Sequence, residues 1–123
     1  MAKKFKVRKD KEGRNKIVLT HTGLRTQIKN YLKLYRIKFW YNKASQGSYP
    51  GLPDLEGVYD KDVFPGRPFF IEVKTQNQNL TKDQKAFKSM VEEAGEDYCV
   101  AHSLDEFLSW WRRFTNAKGE NDH

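Results

Sequence analysis

Between Gly13 and Pro53 the chain has no Asp or Glu, yet Arg14, Lys16, Arg25, Lys29, Lys33, Arg36, Lys38 and Lys43 all fall there. Such a stretch cannot neutralise itself, so its cations need either solvent or an anionic partner. Cysteine is almost missing as well. Cys99 stands alone in an apolar run, which excludes a disulfide framework and fits a reducing, cytoplasmic compartment. Apolar runs extend only a few residues, which excludes a membrane-spanning helix. The basic N-terminus has no apolar core of the signal-peptide kind, so a secreted product is not expected. No internal repeat is visible.

What remains is enough for one domain. Of 123 residues, 37% are hydrophobic and 14% aromatic, sufficient for a single core and too little for two. The formal charge of +7 is unevenly distributed. Residues 1–16 carry Lys3, Lys4, Lys6, Arg8, Lys9, Lys11, Arg14 and Lys16 against Asp10 and Glu12, while the other acids gather from Asp54 onward. A cationic half beside a carboxylate cluster suits a polyanion held over a metal centre. Nucleic acid is therefore the expected partner, the plainer alternative being a basic surface that serves only solubility.

Residues 1–19 read as a basic, mobile arm, within which Lys4 to Arg8 could form a short edge strand. Thr20 or Thr22 can cap a helix running from about Gly23 to Tyr35. Leu24, Ile28, Tyr31, Leu32 and Tyr35 form its apolar face, and Arg25, Lys29, Lys33 and Arg36 a basic flank, solvated or tracking phosphates. Ile37 to Asn42 reads as a strand and Lys43 to Pro53 as a loop. Leu55–Tyr59 and Phe69–Lys74 read as adjacent antiparallel strands, joined through a Pro65-Gly66 turn. Thr81 and Gln84 have the spacing of a capping box for a helix reaching about Ala94, stopped by Gly95, with Phe87, Met90, Val91 and Ala94 inward. Asp97–His102 reads as a further strand. Ser103 and Glu106 suggest a second capping box, before a helix with Leu104, Phe107, Leu108, Trp111 and Phe114 inward. From Thr115 the chain turns polar and is expected to fray, leaving a tail over 116–123.

The chemistry concentrates between Pro53 and Lys74. In a strand Glu72 and Lys74 share a face while Ile71 and Val73 take the other. Asp54, at the mouth of the partner strand, comes within reach of Glu72. Two carboxylates converging with one ammonium can hold a divalent cation and a polarised water, the plainer account being a surface ion pair beside an ordinary Asp. Pro53-Asp54, then Glu72-x-Lys74, resembles the signature of the PD-(D/E)XK nuclease superfamily. The longer pattern, Gly51-Leu52-Pro53-Asp54-Leu55, Phe70-Ile71-Glu72-Val73-Lys74 and Leu80-Thr81-x-x-Gln84, resembles its VRR-NUC branch, particularly small stand-alone phage-type members, over roughly Thr20 to Leu108.

That resemblance implies an α/β, restriction-endonuclease-like αβββαβ core over residues 20–115, with a mixed central sheet flanked by helices and a C-terminal helix added. It implies that Asp54 and Glu72 bind Mg²⁺ or Mn²⁺ with the backbone carbonyl of Val73. Lys74 would orient or deprotonate the attacking water, or stabilise the pentavalent phosphate. For Gln84 the bland account is capping; the functional one has it reach toward Lys74 or a bound phosphate. Many family members carry a further Glu on the first helix, which is missing here. By rough alignment His21 falls nearest its place, with Gln27 the next polar candidate; His21 could ligate the metal or hold a water beside it.

The expected activity is metal-dependent endonucleolytic hydrolysis of DNA, structure-specific on branched DNA such as a Holliday junction, by a homodimer in a prokaryotic or phage-infected cell. Lys3, Lys4, Lys6, Arg8, Lys9, Arg25, Lys29 and Lys33 are the expected DNA contacts. Tyr49, Phe64, Trp40 and Trp110 are candidate interface aromatics. A catalytically silent nucleic-acid-binding module, a nicking or flap nuclease and an RNA-directed nuclease are the competing readings.

Overall fold

The computed structural model describes residues 3–43, 47–61, 65–75 and 77–120. The N-terminal residues form an antiparallel hairpin, β1 (Phe5–Lys9) and β2 (Asn15–Leu19), with Phe5 opposite Leu19 and Lys9 opposite Asn15. An arm with at most one edge strand was the expectation. The missed signal is the turn: the Asp10 carboxylate accepts from the backbone N–H of Glu12 (3.0 Å) and Arg14 (2.9 Å), and Gly13 takes φ +79°. Alternation puts Lys4, Lys6 and Arg8 on one face of this hairpin and Phe5 and Val7 on the other.

Helix α1 (His21–Leu34) starts at Thr20, not Thr22; the Thr20 hydroxyl accepts from Gly23 N at 3.1 Å. The hairpin crosses this first turn so closely that a Cβ on Gly23 would lie 2.2 Å from the Lys4 carbonyl oxygen. Leu24, Ile28 and Leu32 are buried, Tyr31 is half-buried, and Tyr35 at the end of the stripe is exposed.

Four strands then build one mixed sheet in the order β3 (Lys38–Tyr41), β4 (Leu55–Tyr59), β5 (Arg67–Val73), β6 (Asp97–Ala101). The first three run antiparallel, with Leu55 opposite Ile71, and β6 lies parallel to β5. α2 (Lys82–Glu93) and α3 (Leu104–Glu120) complete the chain. From α1 to β6 the order is αβββαβ. Leu55, Phe69, Ile71, Val73, Cys99 and Ala101 face α1 and α3, meeting Leu24, Ile28, Leu32, Phe107, Trp111 and Phe114 in the main core. Phe70, Tyr98 and Val100 point oppositely, against Phe87 and Val91 of α2. Strand β5 is thus covered on both sides, which is why it reads as an almost unbroken apolar run. Phe107 is fully buried among these aromatics, and its truncation to Ala would cost roughly 3–5 kcal/mol.

Several side chains sit elsewhere than the periodicity suggests. Met90 is 44% exposed and Ala94 is also exposed, so α2 buries only Phe87 and Val91. Trp110, one of the candidate interface aromatics, is half-buried and stacks on Phe114 with ring centroids 4.9 Å apart. Ser103 caps α3 by accepting from Glu106 N at 3.0 Å, but Glu106 turns to His102, accepting from its backbone N–H at 3.1 Å. The second capping box is therefore half made. With no Gly or Pro before Gly119, α3 continues past Thr115 to Glu120. Trp40 is exposed on the edge strand β3, its indole N–H donating to Glu56 Oε2 at 3.2 Å. Phe64 lies outside the described residues.

Candidate active site

The antiparallel register that sets Leu55 opposite Ile71 sets Asp54 opposite Glu72. Two hydrogen bonds lock the pair: Asp54 N donates to Glu72 Oε1 (3.2 Å), and Val73 N donates to Asp54 Oδ2 (2.8 Å). Glu72 is the one buried charged residue of the described chain, 4% exposed. Lys74, on the same face, brings its Nζ to 3.6 Å from Glu72 Oε2. Gln84 makes two contacts from the start of α2. Its Oε1 accepts from Thr81 N at 2.9 Å, closing the first capping box, and its Nε2 donates to Glu72 Oε2 at 3.1 Å. Its partner is thus Glu72, not Lys74: a short amide at the third helical position reaches the carboxylate across from it.

Helix α1 supplies the other side. His21 Nε2 lies 3.5 Å from Asp54 Oδ2, and the Arg25 guanidinium 4.0 Å from Asp54 Oδ1. Arg25 and Lys29 also lie over the Tyr41 ring, at 5.6 and 6.0 Å from its centroid. Lys33 is exposed one turn further along the helix, and Lys3, Lys4, Lys6, Arg8 and Lys9 are exposed on the hairpin. Only Arg25 of the expected DNA contacts stands directly at the carboxylates.

The loop that delivers Asp54 is fixed at several points. Gly51 has φ +78°, and a Cβ there would come 2.2 Å from the Asp83 carbonyl oxygen, so only glycine lets the loop press against the first turn of α2. Pro53 is buried. Asn42, the last residue of the expected strand and one past the end of β3, ties the loop to the sheet. Its backbone N–H donates to Asp54 O (3.0 Å), and its side-chain amide donates to Pro53 O (3.1 Å) and Glu56 Oε2 (2.7 Å). Neither Asn42 nor Glu56 has a local sequence signal, because both act across strands.

The two carboxyls are unequal. Burial pushes Asp54 up, but the His21 hydrogen bond, the Val73 N–H and the Arg25 charge outweigh it and hold the carboxyl below its ordinary range. Burial pushes Glu72 the same way, the Asp54 charge adds to it, and Lys74 offsets only part, so Glu72 is raised to about 7. His21 is raised, chiefly by its hydrogen bond to Asp54. Asp54 and Glu72 line a cleft of about 720 Å³ together with Arg25, Asn42, Lys43, Tyr49 and Gln84. Gln27 is not among its lining residues.

A family model for the VRR-NUC domain matches residues 7–105. The chain belongs to the VRR-NUC family. This is a family of PD-(D/E)XK-type nucleases, so its substrate class is nucleic acid. A solved structure described as a VRR_NUC domain protein superposes with a TM-score of 0.63 at 23% identity, covering 78% of this chain and 88% of that one, which is a likeness of fold. Among the curated proteins no match was found.

VRR-NUC nucleases are typically metal-dependent. Among the described residues no three His, Cys, Asp or Glu side chains group as a metal site. The donor set nevertheless fits a hard, hydrated ion: two carboxylates are what Mg²⁺ commonly takes from a protein when waters and substrate phosphates supply the rest. His21 is engaged with Asp54 and so stands beside that pair.

Proposed function

We propose that this chain is a divalent-metal-dependent endonuclease acting on DNA, in which Asp54 and Glu72 hold Mg²⁺ or Mn²⁺ and Lys74 is the cation beside the reacting phosphate. The observation that carries the reading is the Asp54–Glu72 pair itself. Two facing carboxylates, one almost wholly buried, are costly to ionise together unless a cation joins them. The backbone carbonyl of Val73 and water would complete the ion's shell. When bound, the ion supplies charge at the phosphate and acidity to a water.

The chain's own groups do the remaining work. Arg25, near Asp54 Oδ1, draws a phosphate toward the carboxylates. His21 donates to Asp54 and keeps it anionic. Gln84 fixes the direction of the Glu72 carboxylate. Lys74 orients or deprotonates the attacking water, or neutralises charge on the pentavalent phosphate. The exposed cations of the hairpin, Lys3, Lys4, Lys6, Arg8 and Lys9, with Lys29 and Lys33 of α1, hold the flanking backbone. Symmetric cutting of a four-way junction needs two such sites, which a two-fold homodimer supplies.

A second reading, a silent nucleic-acid-binding module, draws on one observation: both Glu72 oxygens already have donors, from Asp54 N and Gln84 Nε2. The test is incubation with plasmid, linear duplex, four-way and single-stranded DNA in Mg²⁺, Mn²⁺ or EDTA. Cleavage that EDTA abolishes is expected. Tight binding with no cleavage in either ion would favour the silent module, and light scattering with and without a junction would test the dimer.

A further inference from the structure

Beside the carboxylate cleft lies a second hollow of about 400 Å³, lined by Tyr49, Pro50, Asp83, Ala86 and Phe87. Tyr49 lines both spaces, as do Pro50 and Asp83. It is 57% exposed, yet it is held. Its ring meets Phe87 at 5.8 Å with planes 68° apart, its hydroxyl lies 3.5 Å from Met90 Sδ, and the loop two residues on is pinned by Gly51 against α2. The two spaces differ in chemistry. The first has Arg25 and Lys43 beside the carboxylates; the second shares Tyr49, Pro50 and Asp83 with it, adds the apolar Ala86 and Phe87, and has no cation among its described lining residues.

Such a hollow offers a phosphate no cation, whereas a neutral, flat nucleobase is suited to it. We infer that Tyr49 stacks an unpaired nucleobase of the DNA in this hollow while the neighbouring phosphate sits at Asp54 and Glu72. The inference rests on the nuclease reading and narrows it: the preferred substrate has at least one unpaired nucleotide next to the scissile bond. In a continuous duplex each base is already stacked on its neighbours, so filling the hollow requires first breaking that stack. Base–aromatic stacking is sequence-tolerant, so the selectivity is for structure rather than for base identity.

The test compares a fully paired duplex with the same duplex carrying one unpaired 2-aminopurine. Binding is followed by fluorescence in the Glu72→Gln protein, which leaves the strand uncut, and cleavage is measured in the otherwise wild-type protein with Mg²⁺. Binding should quench the 2-aminopurine, and kcat/KM should favour the unpaired substrate. Tyr49→Leu should lower that preference by at least about fivefold and abolish the quenching, while Tyr49→Phe and Tyr49→Trp keep both. Equal cleavage of the two substrates by the wild type, or an unaltered preference in Tyr49→Leu, overturns the inference and leaves the nuclease reading standing. No cleavage of any substrate overturns both. A change in solution mass in Tyr49→Leu with the preference intact would assign the hollow to a second copy of the chain and overturn the inference. If Tyr49→Leu does not fold, the quenching with unsubstituted Tyr49 and its retention in Tyr49→Trp decide the matter.

Discussion

Gln84 spans two structures at once: its carbonyl closes the cap on Thr81 N at 2.9 Å while its amide donates to Glu72 Oε2 at 3.1 Å. The cap of α2 and the proposed metal-binding carboxylate therefore meet in one side chain, and substitutions can separate them. Thr81→Ala and Gln84→Ala should each lower stability by about 1 kcal/mol through the cap. Only Gln84→Ala should also weaken metal affinity, because only it frees Glu72. Isothermal titration with Mn²⁺ on both variants checks this; equal affinities would reduce Gln84 to a cap.

Acidity should act on the metal-free protein in an unusual direction for a carboxylate. Glu72 is raised from 4.5 to about 7, so between those values the folded protein holds a proton that the unfolded chain has lost. Its contribution to stability is complete below pH 4.5 and is lost as pH rises through 7, on the order of 3 kcal/mol at most. Asp54 is depressed below 3.8, so its contribution is present above that value and is lost only in stronger acid. His21 and His102 are both raised and add slope of the same sign as Glu72, so the informative quantity is a difference. Melting temperatures in EDTA should fall less between pH 5 and 8 for Glu72→Gln than for the wild type, and Mg²⁺ should restore the wild type at pH 8. Parallel curves would contradict the assignment.

Salt should weaken DNA binding steeply, in proportion to the phosphates neutralised. Removing residues 1–11 would be a poor probe, since Lys4 O accepts from Thr20 N at 2.8 Å and β1 is half of the hairpin. Lys6→Gln with Arg8→Gln leaves the ladder intact and takes two charges from one face. The slope of log K against log salt should fall by about 2; an unchanged slope would move the DNA to another face.

Gly51→Ala should impair both stability and cleavage. The left-handed backbone alone costs roughly 1–3 kcal/mol, and the added methyl meets the Asp83 carbonyl at 2.2 Å. Thermal melting and the substrate panel read the two losses; a variant as stable and active as the wild type would mean that the loop does not need α2.

Much of this arrangement was legible because its causes are local. Leu55–Tyr59, read as a strand from its β-branched, aromatic and aliphatic residues, appears as β4 unchanged, and Thr81 with Gln84 makes the cap its spacing implies. The Asp54–Glu72 approach follows from antiparallel neighbours. What could not be read depends on which of several possible partners a side chain takes, whether four residues away or across paired strands. Trp110 is drawn onto Phe114, Glu106 finds His102 instead of its own cap, and Asn42 bonds to Pro53 and Glu56 once β3 and β4 are paired. The hairpin was missed for a different reason. Its charge hid a turn that Asp10 and Gly13 make locally.

The most direct test of the central claim is cleavage of a supercoiled plasmid and a four-way junction in Mg²⁺, comparing the wild type with Asp54→Asn, Glu72→Gln and Lys74→Ala, alongside DNA affinity in EDTA. The account predicts cleavage by the wild type alone, with affinity largely retained in all four because the hairpin and the α1 flank are untouched. Near-wild-type cleavage by Glu72→Gln would contradict it.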